Sequence, residues 1–188
     1  MVISACFFTM VSLAVGSFLN VLIARLPAGE RISGRSRCPR CRAKISWWGN
    51  IPVLSYLLLL GRCANCRGRI SWQYPAVELA TAALFWLVVL RYGGDRLLAW
   101  DLHSLTRDWL LVIRDWLFIA VLVVVFTIDL RHYVILDVVT LPAAAAALAL
   151  NLWLGQPWEE LAIGGILGAA FFWPQYVLSR GRWIGAGD

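Results

Sequence analysis

Five stretches of this chain are apolar for long enough to cross the hydrocarbon of a bilayer: Val2 to Ala24, Tyr74 to Leu90, Trp109 to Ile128, Val134 to Leu154 and Leu161 to Leu178. A crossing takes about 20 residues of helix. No water reaches the hydrocarbon to satisfy backbone N–H and C=O groups, so each crossing must be helical. The expected fold is therefore an all-α polytopic membrane protein with about five transmembrane helices. Composition agrees, because 61% of the 188 residues are hydrophobic and 15% charged, more apolar surface than a single core of this size can hide. A disordered or ordinary soluble chain is excluded. A sixth apolar run, Ile51 to Leu60, begins with Ile51-Pro52 and is too short to span, which suits an interfacial or re-entrant segment.

Charge placement sets the expected topology. Of the 17 Lys and Arg residues, Arg25, Arg31, Arg35, Arg37, Arg40, Arg42, Lys44, Arg62, Arg67 and Arg69 lie between the first two spans, where Glu30 is the sole acid. The positive-inside rule makes that loop cytoplasmic and leaves the N-terminus outside. Counting onward, Arg131 and the Arg180/Arg182 pair fall inside, whereas Glu159 and Glu160 fall outside. The first positive charge, Arg25, follows the first apolar run instead of preceding it, so that run reads as an uncleaved helix and not a signal peptide. Residues 1–24 are then a first membrane helix, 25–73 a small cytoplasmic domain and 74–188 the remaining membrane helices. The third span has two readings, from Trp109 or from Trp116, because Asp101, Asp108 and Asp115 recur every seven residues beside Arg107 and Arg114. Either keeps Asp129 on the cytoplasmic side. No internal repeat is expected.

Within the basic loop, Cys38-Pro-Arg-Cys41 and Cys63-Ala-Asn-Cys66 form two C-x-x-C pairs separated by 21 residues. Two such turns brought together supply the four thiolates of a tetrahedral structural zinc site. The neighbouring arginines are expected to help keep the thiols ionised. A pair of disulfides is the competing reading, disfavoured by a reducing cytosolic location. Cys6, inside the first span, reads as an inert packing residue.

An ionised carboxylate at the bilayer centre costs about 2.5 to 3.5 kcal/mol on insertion scales, so acids in or beside spans call for a reason. Asp129 ends the run Ala120 to Ile128, Asp137 lies two turns later in the fourth span, and Asp188 follows Gly185-Ala186-Gly187. The topology puts Asp129 and Asp188 on one side of the membrane. Two facing carboxyl groups share a proton, one acting as base toward water and the other as acid toward a carbonyl oxygen, as in aspartic proteolysis. A G-x-G-D tetrapeptide alone is weak, and the alternative stays open: Asp129 as an interfacial anchor paired with Arg131, and Asp188 as a solvated loop acid.

An ordered series of motifs resembles one family. Gly16-Ser-Phe-Leu-Asn-Val-Leu-Ile-Ala-Arg-Leu-Pro27, Ser36-Arg-Cys-Pro-Arg-Cys41, Asn50-Ile-Pro-Val-Leu-Ser-Tyr56, Gly61-Arg-Cys-Ala-Asn-Cys66 and Tyr74-Pro-Ala-Val-Glu78 are similar to the N-terminal half of the type IV prepilin leader peptidases, or prepilin peptidase/N-methyltransferases. Ile128-Asp129-Leu130 through Thr140-Leu141-Pro142, and Gly185 to Asp188, resemble the segments carrying that family's catalytic aspartates. The resemblance implies Asp129 and Asp188 as the catalytic pair of an intramembrane aspartic endopeptidase, with Zn²⁺ on Cys38, Cys41, Cys63 and Cys66. It implies prepilin or type II secretion pseudopilin substrates, cut on the cytoplasmic face of the bacterial inner membrane. It also implies S-adenosylmethionine wherever the new N-terminus is methylated; no Gly-rich nucleotide loop marks a methyl-donor site. Leu136 stands before Asp137 where many relatives have Pro. The family continues into further helices beyond the position of Asp188, so a truncated chain of little activity is expected.

Two other classes compete. A non-enzymatic membrane-anchored zinc ribbon binding nucleic acid or anionic lipid would use the arginines and dispense with the aspartates. A transporter would use Asp129 and Asp137 as a proton relay, but paired inverted halves are missing. Prepilin cleavage is the leading reading, with membrane lipids as partners and no nucleic acid.

Overall fold

A computed structural model describes residues 2–92, 94 and 105–179. Six α-helices are described: α1 Val2–Arg25, α2 Leu54–Leu58, α3 Gln73–Arg91, α4 Leu105–His132, α5 Asp137–Trp153 and α6 Trp158–Ser179. Among the described residues there are no strands beyond two isolated β-bridges. The chain divides into two compact units, Met1–Thr127 and Ile128–Asp188.

In the first unit, α1 and α3 run antiparallel, as contacts at both ends show. Asn20 on α1 donates through Nδ2 to the Tyr74 carbonyl at 3.0 Å, and Trp86 on α3 donates through Nε1 to Thr9 Oγ1 at 3.0 Å. The close approach follows from the buried face of α1, where Ser4, Phe8, Ser12, Gly16 and Asn20 recur every four residues. Small residues on one face let helix backbones approach where lipid supplies no hydrophobic driving force. Gly16 is the tightest point, since a Cβ there would stand 2.7 Å from Glu78 Cα. Gly16→Ala is therefore expected to push α1 off α3 and destabilise the protein by about 1 to 3 kcal/mol, read as a lower thermal midpoint in detergent. An unchanged midpoint would show that the contact relaxes freely.

Aromatic packing brings α4 into the same unit. Trp116 stacks on Phe85 with centroids 4.6 Å apart and donates through Nε1 to the Phe85 carbonyl, while Trp109 stacks on Phe8 at 5.0 Å. Val112 is fully buried against Val88 and Val89. Three described helices are long and apolar enough to cross a membrane: Val2–Arg25, Gln73–Arg91 and Asp108–His132. Protein buries only 28%, 39% and 17% of their apolar cores, which leaves lipid to cover the remainder.

Several expectations change, and one open choice closes. The third helix begins at Leu105 and its apolar, membrane-length part is Asp108–His132, in agreement with the reading from Trp109, because Asp115 is absorbed by its surroundings. It accepts from Tyr92 at 2.9 Å and pairs with Arg114 at 2.7 Å, so a polar face continues the helix instead of ending it. The fourth begins later than Val134: residues 134–136 are a non-helical connector, and Asp137 sits in the first turn of α5, where a carboxyl group favours the helix N-terminus. At 17 residues α5 is about 26 Å long and shorter than the run that suggested it. Cys6 is exposed instead of packed, since it lies about half a turn around α1 from the buried stripe. Arg180, Arg182 and Asp101 lie outside the described residues.

Candidate functional site

The basic loop holds two local structures of one design. Residues 36–47 read Ser-Arg-Cys-Pro-Arg-Cys-Arg-Ala-Lys-Ile-Ser-Trp and residues 61–72 read Gly-Arg-Cys-Ala-Asn-Cys-Arg-Gly-Arg-Ile-Ser-Trp, a repeat offset by 25 positions. The backbone repeats too. Arg42 N–H donates to the Cys38 carbonyl at 2.9 Å and Arg67 N–H to the Cys63 carbonyl at 3.0 Å. Cys38 N–H donates to the Ala43 carbonyl and Cys63 N–H to that of Gly68, and the bridges Arg37 to Lys44 and Arg62 to Arg69 close each turn. Arg42 and Arg67 both take the left-handed conformation at φ 56°. The expectation of no internal repeat is thus corrected.

Together the turns converge on one point. The sulfurs of Cys38, Cys41, Cys63 and Cys66 all lie within 4.8 Å of one another, and Cys38 and Cys66 are 3.9 Å apart. A tetrahedron with zinc–sulfur bonds near 2.3 Å has sulfur–sulfur edges of about 3.8 Å, so the four donors fit a zinc ion. All five cysteines are free, so the disulfide alternative is set aside. Backbone N–H groups of Cys66 and Asn65 lower the Cys63 thiol to about 6, and the Ala43 N–H lowers Cys41. Cys66 receives the Gly68 N–H, which lowers it, but desolvation and the neighbouring sulfurs of Cys41, Cys63 and Cys38 push it up to about 11. Four sulfurs in this space cannot all ionise without a cation. The field that ionises them comes from amide N–H groups and from Asn65 Nδ2, 3.7 Å from Cys41 Sγ.

A second polar feature was missed from the sequence. Glu78, buried one turn into α3, accepts the backbone N–H of Val53 through Oε2 at 2.7 Å. Val53 is β-branched at φ 60°, ψ −49°, a conformation that costs about 1 to 3 kcal/mol and persists only where the surroundings impose it. The carboxyl group thereby ties the Pro52-Val53 turn to the end of the α1–α3 pair. The signal was present, since Glu78 is an acid inside an apolar run, but its partner is a backbone N–H 25 positions away that the sequence does not mark. Glu78→Leu should destabilise the protein by roughly 2 kcal/mol, and Glu78→Gln, which keeps a carbonyl acceptor, by less. Thermal melts of both variants check the order; equal effects would remove the hydrogen bond from the account.

In the second unit Asp129 is exposed in the last turn of α4, followed by Arg131, His132 and Tyr133 at φ 53°. Its carbonyl accepts the Tyr133 N–H at 2.8 Å, which closes the helix. Asp137 is exposed at the start of α5. Asp188 and Gly185 to Gly187 lie outside the described residues. Among the described residues no ion pair joins Asp129 to Arg131.

Residues 10–92 match the bacterial peptidase A24 N-terminal domain and residues 116–188 the type IV leader peptidase family. A prepilin leader peptidase/N-methyltransferase of Klebsiella pneumoniae is 34% identical over 189 residues, covering 94% of this chain and 76% of that protein. The chain belongs to the type IV leader peptidase family. The relative of the same description in Myxococcus xanthus is 36% identical over 190 residues, 98% of this chain and 52% of that protein, and that of Neisseria gonorrhoeae is 34% identical over 187 residues, 86% and 60%. The chain thus spans about half the length of the Myxococcus relative. No solved structure matches it.

Proposed function

We propose that this member of the family is an inner-membrane aspartic endopeptidase that removes the leader of type IV prepilins or pseudopilins on the cytoplasmic side. The observation that carries the reading is the match of residues 116–188, which spans both Asp129 and Asp188, to the leader peptidase family. Asp129 at the end of an apolar helix suits the role, because a prepilin is cut where a basic leader meets an apolar segment, at the level of the membrane surface.

The chemistry needs two carboxyl groups in different protonation states. The ionised one takes a proton from a water as the water oxygen bonds to the scissile carbonyl carbon. The protonated one gives its proton to the carbonyl oxygen. Collapse of the tetrahedral species breaks the C–N bond, and the proton taken from water goes to the departing amine. Asp129 and Asp188 fill these roles. The amine so released is the group that a methyltransferase step would modify, consuming S-adenosylmethionine as a substrate, in keeping with the description of the relatives. The four-cysteine site, when loaded, supplies a structural cross-link and no reacting atom: all four positions of the tetrahedron are thiolates.

The test is to incubate the chain, extended by the C-terminal region of a relative, in proteoliposomes with a prepilin and read the product by intact mass. Loss of the leader, with a methyl increment when the methyl donor is added, is expected. A prepilin left whole, in lipid that preserves zinc and helicity, would remove the peptidase assignment.

A further inference from the structure

We propose that the two zinc knuckles and the short α2 helix together form a docking platform for anionic phospholipid, holding the loop domain flat on the membrane from which α1 and α3 emerge. The inference rests on the membrane reading of α1 and α3 and needs no peptidase activity.

The first ground is depth. Because α1 and α3 are antiparallel, the loop leaves α1 and re-enters α3 at the same end of the pair. Glu78 lies five residues beyond the start of α3, about 7.5 Å along its axis, and it holds Val53. The segment that follows Val53 is therefore tied at a level inside the end of a membrane helix. That segment is α2 and the turn after it, and its leucines are exposed: Leu54 is 48% exposed, Leu57 61%, Leu58 71% and Leu60 85%. A leucine cluster anchored at that depth meets the headgroup boundary and not bulk water.

The second ground is the repeat. Each knuckle ends in Ile-Ser-Trp, and the two tryptophans, Trp47 and Trp72, are 77% and 74% exposed. Trp72 is the residue before the first turn of α3, where an indole ring is favoured at a membrane interface. The duplication places Trp47 at the same step of the other copy.

Charge is the third ground, and it names the occupant. The bridges set Arg37 opposite Lys44 and Arg62 opposite Arg69, like charges across a pair, which is destabilising unless an anion lies between or beside them. Arg42 and Arg67 hold a left-handed backbone that glycine would take at lower cost, so both copies accept strain and keep the cation. All six side chains are exposed, and among the described residues none forms an ion pair. Glu30 is the only acid in the loop. A soluble polyanion would satisfy the cations but not the leucines and tryptophans. An anionic bilayer surface satisfies both, with phosphate on the guanidinium groups and apolar side chains at the acyl boundary.

The experiment uses the zinc-loaded full chain in nanodiscs of phosphatidylcholine, with or without added phosphatidylglycerol, and limited trypsin digestion. Cleavage after Arg37, Arg42, Arg62, Arg67 and Arg69 should slow at least about fivefold when phosphatidylglycerol is present, and high salt should restore it. The quadruple variant Arg37→Gln, Lys44→Gln, Arg62→Gln, Arg69→Gln should lose the protection at Arg42 and Arg67 while retaining its zinc, which reports that the knuckles are folded. Quenching by lipids brominated on the acyl chain should fall when Trp47 and Trp72 are replaced by Phe. Equal cleavage in the two lipids would overturn the proposal. So would protection by single-stranded RNA in phosphatidylcholine discs equal to that given by phosphatidylglycerol, since a soluble polyanion would then suffice.

Discussion

In the chain extended by the C-terminal region of a relative, Asp129→Asn should reduce prepilin cleavage by at least about 10³-fold while leaving the protein inserted and its zinc bound. An amide neither takes a proton from water nor returns one to the leaving amine, so both halves of the proton transfer fail together. The side chain is exposed in the last turn of α4, and among the described residues it makes no ion pair, so little structural loss is expected to accompany the chemical one. Asp137→Asn is the matched control. That residue sits in the first turn of α5, where its charge interacts with the helix N-terminus for about 0.3 to 1 kcal/mol, and its replacement should leave the cleavage rate within a few-fold of the parent. Initial rates of leader loss on one prepilin, measured for both variants in the same lipid, separate the two residues. Rates that fall alike would make Asp129 a structural acid and remove it from the proposed pair.

These roles were open to different extents in the sequence, for physical reasons. Membrane helices declare themselves because lipid forbids unpaired backbone and demands length, so α1 and α3 lie where hydropathy put them. Helix ends are less legible. The start of α4 depends on whether Asp115 finds partners, and those partners, Tyr92 and Arg114, include one on a different segment. Periodicity along a single stretch carries no information about them. The convergence of four sulfurs was legible from spacing alone, since a C-x-x-C turn is a local structure and two of them suffice. The amide N–H groups that lower Cys63 and Cys41 were not legible, because a sequence does not display the direction of N–H bonds. The knuckle repeat was fully present in the residues and was passed over, being only twelve residues long within a loop dominated by its charge. Glu78 shows the other limit: its acidic character was visible, whereas its partner is a backbone N–H 25 positions away.

Removing the metal should unfold the loop while α1, α3 and α4 stay together. Binding of a structural zinc by four thiolates is worth on the order of 10 to 16 kcal/mol in small domains, far more than the loop's own contacts can replace. Cys38 is its one buried hydrophobic residue, and no buried cluster of apolar side chains underlies the knuckles among the described residues. The helices, in contrast, are held by Trp116 on Phe85 and Trp109 on Phe8, none of which touches the metal site. Protein treated with a strong chelator should therefore gain trypsin cuts after Arg37, Arg42, Arg62, Arg67 and Arg69 by at least about a hundredfold in rate, with helical circular dichroism nearly unchanged. Acid should do the same. The Cys63 thiol is lowered from its ordinary 9.0 to about 6, so the stability it contributes is complete above pH 9 and is lost as pH falls through 6. Cys66, raised from 9.0 to about 11, acts oppositely: its thiolate is disfavoured in the metal-free fold, so metal binding must release its proton, and acid drives that step backward. The Cys63 titration places zinc loss on the acid side of neutrality, around pH 6, and the proton that Cys66 must release steepens the loss without setting its position. Metal content after dialysis on either side of that pH, beside the trypsin pattern, measures it. Full zinc retention at pH 5, or a loop that resists trypsin after the metal is gone, would show that something other than the four thiolates holds these turns together.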